Sequence, residues 1–181
     1  MALTATIYQF DIDLADSDRH VYESLSLRVA RHPSESEDYL VARVLAYALE
    51  VTDGIEFSKG GISGPEEPAI AVRDLTGAYR TWIEIGTPDA DRLHRASKTA
   101  PRVVVYVHRD PDKWLERLAG ERIHRADEIE VWAIDRALLA ELVKRLDRRM
   151  GFAMSVSDRE LFISVGTETL TGTLTRLTLG L

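Results

Sequence analysis

The sequence predicts a mixed α/β fold: a central mixed sheet with flanking helices, an extra hairpin at the N-terminus and antiparallel strands at the C-terminus. Three observations predict it. Residues 67–89 read as a β-hairpin that feeds a helix, the run Val103-Val104-Val105-Tyr106-Val107 is apolar on both faces, and both ends of the chain alternate apolar and polar residues with period two. A strand, a helix and a doubly buried strand in that order imply a right-handed parallel crossover. The 181 residues suit one domain spanning 1–181, with no linker, repeat or low-complexity tract.

Each element has a local reason. Tyr8, Phe10, Ile12 and Leu14 alternate with polar residues, and Val21, Leu25, Leu27 and Val29 repeat the pattern after a turn at Ala15 to Asp18, which gives two antiparallel strands. Pro33 keeps His32 out of the α region, and Ser34 with Glu37 forms a capping box that starts a helix. Its apolar stripe is Leu40, Val41, Val44, Leu45, Ala48 and Leu49, and Gly54 supplies a left-handed end. A short strand at Ile55 to Phe57 and a glycine-rich loop at residues 60–65 come next. Asp74-Leu75-Thr76-Gly77 then turns the chain into the strand Tyr79 to Ile85. Thr87 caps, and Pro88 opens, a helix through about Lys98. Asp110-Pro111 begins a short helix to about Leu118, and Ile129, Val131 and Ala133 mark a further strand. Asp135 caps a helix carrying Leu138, Leu139, Leu142, Val143 and Leu146, terminated by Gly151. The tail alternates over Met154 to Val156, Leu161 to Val165 and Leu170 to Leu179.

Composition removes several function classes. Hydrophobic residues at 45% and charged residues at 29% are those of a soluble globular chain. The longest apolar run falls far short of the ~20 residues that cross a bilayer. No basic segment followed by an apolar core opens the chain, so the expectation is a cytoplasmic protein with no membrane partner. The absence of cysteine excludes disulfides, thiolate catalysis and cysteine-ligated metals. A net charge of −7 argues against a sequence-independent coat on nucleic acid but leaves room for a local basic groove. Arg92, His94, Arg95, Lys98 and Arg102 form one basic run, and Lys144, Arg145, Arg148 and Arg149 another. No HExxH pair, phosphate-binding glycine loop or assignable Ser-His-Asp order is present.

The acids that can converge are Glu84, Glu67, Asp74 and Glu50. With the turn centred near Thr76 and Gly77, Glu84 falls opposite about residues 69 to 70, so its acidic neighbour by pleat alternation is Glu67, while Asp74 fixes the turn. Glu50, near the end of the first helix, is a third candidate ligand. Such a set would hold one Mg²⁺ or Mn²⁺ through carboxylate and water oxygens. Arg92 and Arg95 lie on one side of their helix as phosphate-binding candidates. A solvated strand end and a wet helix face are the plain alternatives for the same residues.

The blocks Met1-Ala2-Leu3-Thr4-Ala5-Thr6-Ile7-Tyr8, Asp16-Ser17-Asp18-Arg19-His20, Arg31-His32-Pro33-Ser34-Glu35, Asp74-Leu75-Thr76-Gly77 and Trp82-Ile83-Glu84-Ile85-Gly86-Thr87-Pro88-Asp89 resemble the bacterial YaeQ family. The resemblance implies a variant of the PD-(D/E)XK nuclease-like core. It carries over one acid, Glu84, at the place of the motif's second acid, with Glu67 standing in for an aspartate missing at Ala69. Gly86 occupies the place of the motif's lysine, which leaves Lys98 as the apt replacement to orient water. The implied function is Mg²⁺-dependent phosphodiester hydrolysis, or binding of nucleic acid or a phosphorylated ligand, at a degenerate acidic cleft. The alternative is a catalytically inactive module on the same fold that engages a protein partner.

Overall fold

The computed structural model describes residues 4–59, 64 and 66–180. The chain opens on β1 (Thr6–Asp16) and β2 (Val21–Arg31), paired antiparallel over their full length. Then come α1 (Glu37–Glu50), β3 (Ile55–Phe57), β4 (Ile70–Arg73), β5 (Tyr79–Ile85), α2 (Ala90–Thr99), β6 (Arg102–Val107) and α3 (Asp112–Leu118). The last part contains a 3-10 turn at Ala126–Glu128, β7 (Glu130–Ile134), α4 (Arg136–Lys144), β8 (Arg149–Ser157), β9 (Glu160–Val165) and β10 (Glu168–Leu177).

All ten strands form one mixed, nearly closed sheet in the order β2-β1-β8-β9-β10-β7-β6-β5-β4-β3. The predicted crossover is present, with β5, β6 and β7 parallel to one another. The N-terminal hairpin and the C-terminal strands join through a parallel pairing of β1 with β8. β10 completes the continuous sheet, its first part pairing with β9 and its end with β7.

Pleat alternation divides the core. On one side, Phe10, Ile12, Ile83, Ile85, Val104 and Tyr106 pack with α1 and α4. On the other, Trp82, Val103, Val105 and Val107 pack with Leu93 of α2 and Trp114 of α3. Consecutive residues of β5 and β6 therefore serve different layers. α1 is buried almost all round, the pattern of a helix enclosed by other elements rather than resting on a surface.

Several boundaries differ from the sequence expectation. Ser36, not Ser34, caps α1 by accepting from Tyr39 N–H at 3.1 Å, because Ser34 is occupied with His32 Nδ1. Asp89, not Thr87, caps α2 by accepting from Arg92 N–H at 2.8 Å, which puts Pro88 before the helix. α4 stops at Lys144, and Gly151 lies inside β8 rather than ending a helix. Gly54 does what its type suggests: its φ is +85°, and a Cβ there would sit 2.1 Å from Arg73 O. Most of the glycine-rich loop at 60–65 lies outside the described residues.

Candidate functional site

A cleft of about 460 Å³ opens at the carboxyl ends of β5 and β6. This is where parallel sheets place their ligands. Gly86 turns the chain out of β5, donating its N–H to Tyr106 O at 2.9 Å with φ +99°, a conformation that glycine adopts without strain. Pro88 then leads into α2, held by Trp114 Nε1 donating to Pro88 O at 2.7 Å. From the other side of the sheet, Ser34, Glu35, Ser36 and Tyr39 bring the start of α1 to the same cleft. Ser36 and Asp89 each satisfy one first-turn amide of α1 and α2, and the helix dipoles favour an anion near the remaining ones.

Glu84, 3% exposed, is the penultimate residue of β5 and stands in the wall of the cleft. Its Oε1 accepts from Trp82 Nε1 at 2.5 Å and from Arg92 Nε at 2.7 Å. Burial pushes its carboxyl above the usual range, opposed by the Arg92 guanidinium and the Trp82 indole N–H. Arg92 also donates to the backbone carbonyls of Gly64 at 2.9 Å and Glu67 at 2.6 Å. It ties Gly64 and Glu67 to the end of β5.

A second buried pair joins Glu35, which lines the cleft just before α1, to Arg43 of α1. Arg43 and Glu35 approach to 2.8 Å with both side chains 1% exposed, and Glu35 Oε2 accepts from His32 N–H at 3.0 Å. The Arg43–Glu35 Oε1 contact is an ion pair without hydrogen-bond geometry, so Coulomb attraction holds it. His108, directly after β6, lines the cleft at 6% exposure, and neither ring nitrogen has a hydrogen-bond partner among the described residues. Burial, with Arg109 beside it, lowers its pKa to about 4, so the ring is neutral at pH 7. Arg109 is exposed on the rim and forms no ion pair among the described residues.

The structure gathers only part of the residues singled out from sequence. Glu84 and Arg92 meet. Extending the observed Ile70–Ile83 register by one residue sets Ala69 across from Glu84, as the hairpin argument expects. Glu67 brings its carbonyl, not its carboxylate, to Arg92, and its side chain is exposed. Glu50 lies on the opposite face of the sheet, where it accepts from Tyr106 Oη at 2.6 Å and Arg102 Nη1 at 2.7 Å, so it cannot share an ion with Glu84. Asp74 fixes the turn, its Oδ1 accepting from Thr76 N–H, Thr76 Oγ1 and Ala78 N–H. Arg95 and Lys98 are exposed on α2 and do not line the cleft; Lys98 is six residues beyond Arg92, about 9 Å along the helix axis. Arg19, from the turn before β2, caps the end of α1 through Ala48 O and Val51 O. Among the described residues no three His, Asp or Glu side chains are grouped as metal ligands. Sequence reasoning missed His108 and Arg109, although residues that immediately follow a doubly buried parallel strand sit by topology at a ligand edge.

Among the described residues no helix is long and apolar enough to cross a membrane. The chain is 31% identical over 166 residues to the "Uncharacterized protein YaeQ" of Salmonella typhi and 30% identical over 166 residues to that of Escherichia coli K12, each match covering 91% of both chains. The crystal structure of YaeQ protein from Pseudomonas syringae superposes with a TM-score of 0.86 at 30% identity, covering 96% of each chain. That from Xanthomonas axonopodis pv. citri gives 0.86 at 30% identity, covering 97% of this chain and 99% of the other. With the YaeQ protein family model matching residues 1–174, the chain belongs to the YaeQ family.

Proposed function

We propose that this chain is a variant of the PD-(D/E)XK nuclease-like fold whose cleft binds phosphate groups of nucleic acid, or of another phosphorylated ligand, without a resident metal ion. One observation supports this above the rest: each buried carboxylate of the cleft already holds its own arginine, Glu84 with Arg92 and Glu35 with Arg43. The acids are neutralised internally. Arg109 on the rim remains to meet an anion, beside the start of α1 at Ser36 and neutral His108 in the lining.

The Mg²⁺ or Mn²⁺ that the family resemblance implies requires oxygen ligands in near-octahedral array, usually with one or two carboxylates. Of the three expected acids only Glu84 presents its carboxylate to the cleft, burial favours its protonated form, and Arg92 stands against it. These residues do not fit the ion, and the cleft acts by holding phosphate rather than by cleaving its ester.

The test is fluorescence anisotropy with labelled single-stranded and duplex DNA oligonucleotides, in EDTA and in Mg²⁺. Binding should occur in both buffers and weaken linearly with the logarithm of salt concentration. Arg109→Glu should weaken it about tenfold or more. Cleavage that appears in Mg²⁺ and vanishes in Glu84→Gln would instead establish a metal-dependent nuclease. Failure of either oligonucleotide to bind at low salt would leave the protein-interaction module.

A further inference from the structure

The second basic run of the sequence does not stay together. Lys144 and Arg145 pair with Glu141, and Arg145 also with Glu168, whereas Arg148 and Arg149 form no ion pair among the described residues. They join Arg28, equally unpaired, along a groove with Gln9 and Asp147.

This groove belongs to the exposed face of β2-β1-β8, opposite the side covered by α1. Strand register sets Arg28 on β2 and Arg149 on β8 on either side of Gln9 on β1. The next row on that face, about 7 Å along the strands, is Ser26, Asp11 and Gly151. All six residues are exposed.

Gly151 has no reason inside the chain. A glycine in a strand interior costs about 0.5–1 kcal/mol relative to alanine. Its φ is not positive, and a Cβ there would meet nothing nearer than Asp11 O at 3.7 Å, an ordinary contact. Neither backbone nor packing calls for it. A glycine so placed leaves bare backbone where another molecule's surface can approach closely.

We propose that a second copy of this chain docks on this face about a two-fold axis, forming an isologous dimer. The patch is complementary to itself. With the axis running across the strands midway between the two rows, the Gln9 row of one copy lies over the Asp11 row of the other. Arg149 then enters the space above Gly151 of the partner subunit. Arg28 and Arg149, about 10 Å apart across two strand spacings, straddle Asp11 of the partner subunit. Asp11 is oriented on the face by Ser26 Oγ, which donates to it at 2.8 Å. A nucleic acid suits the patch less well, because Asp11, Asp13 and Asp147 all lie in or beside it.

Sedimentation velocity over a wide concentration range tests the dimer independently of the cleft. The wild-type chain should sediment at twice the chain mass and shift toward monomer in high salt. Gly151→Val should be monomeric yet fully folded, with an unchanged far-ultraviolet circular dichroism spectrum, because valine favours strands and the monomer has room for it. Arg28→Glu with Arg149→Glu should also be monomeric, and adding Asp11→Arg to that pair should restore the dimer. A wild-type chain that is monomeric throughout overturns the proposal. So does a dimer indifferent to both sets of substitutions, or a triple variant that stays monomeric.

Discussion

Acidification should destabilise this protein through His108, and the size of the effect follows from its burial. The imidazole is 6% exposed with both nitrogens unpartnered among the described residues, and its pKa falls from 6.5 to about 4. The folded state therefore binds the proton less readily than the unfolded state. A depressed folded pKa means that the contribution is fully present above pH 6.5 and is lost as pH falls toward 4. At pH 5 the unfolded ring is almost wholly protonated and the folded ring hardly at all, which corresponds to about 2 kcal/mol of lost stability, rising to about 3 kcal/mol near pH 4. Urea unfolding at a series of pH values would measure this in the wild type and in His108→Gln, which keeps a polar side chain but does not titrate in this range. The other histidines and the carboxylates contribute to both slopes alike, so the difference isolates His108. Equal slopes in the two proteins would falsify the claim that the ring is buried uncharged.

Other outcomes follow from packing and charge. Leu45→Ala removes a fully buried side chain from the enclosed helix α1, and should cost about 3–4 kcal/mol, about 2.4 from lost transfer free energy and the rest from the cavity; an unchanged urea midpoint would mean that α1 is not a core element. Gly54→Ala should cost about 2 kcal/mol or more, because its Cβ would lie 2.1 Å from Arg73 O and its positive φ is unsuited to a side chain; a thermal melt reads it. Glu35→Gln leaves Arg43 buried without its counter-charge and should cost about 3 kcal/mol, while adding Arg43→Met should recover part of that loss in a double-mutant cycle; independent, additive effects would show that the pair is not coupled.

The β5–α2–β6 crossover is legible in the sequence because its signals are local: a hairpin turn fixed by Asp74, β-favouring residues in β5 and a strand apolar on both faces. The pairing of β1 with β8 is not, since strands some 140 residues apart carry no local mark of their partnership. Cap positions slip for a similar reason. Ser34 and Ser36 are chemically alike, and only the prior engagement of Ser34 by His32 decides between them. At the site, Glu84 and Arg92 are found from sequence, but not that they pair, nor that His108 and Arg109 stand beside them. The parity of β5 already separates Trp82 and Glu84 from Ile83 and Ile85, yet nothing in the sequence says which face α1 covers. Placing α1 against Ile83 and Ile85 puts Glu50 on the far side from Glu84.

Under the nuclease-like reading proposed above, the departures at Ala69 and Gly86 and the Glu84–Arg92 pair form one consistent arrangement. At Gly86 the chain turns with φ +99°, so a side chain there is strained, and a Cβ would stand 3.6 Å from the His108 ring. At the first acid's place Ala69 is fully buried across from Glu84, so no second carboxylate raises the negative charge there. A lone buried carboxylate in an apolar wall is costly unless a cation meets it. Arg92, in the first turn of α2, provides that cation from within the chain and also donates to the carbonyls of Gly64 and Glu67. Once this arginine is in place, the electrostatic need that a divalent ion would meet is already satisfied. On the phosphate-binding reading proposed above, Arg109 on the rim is the cation that the cleft has left for a ligand.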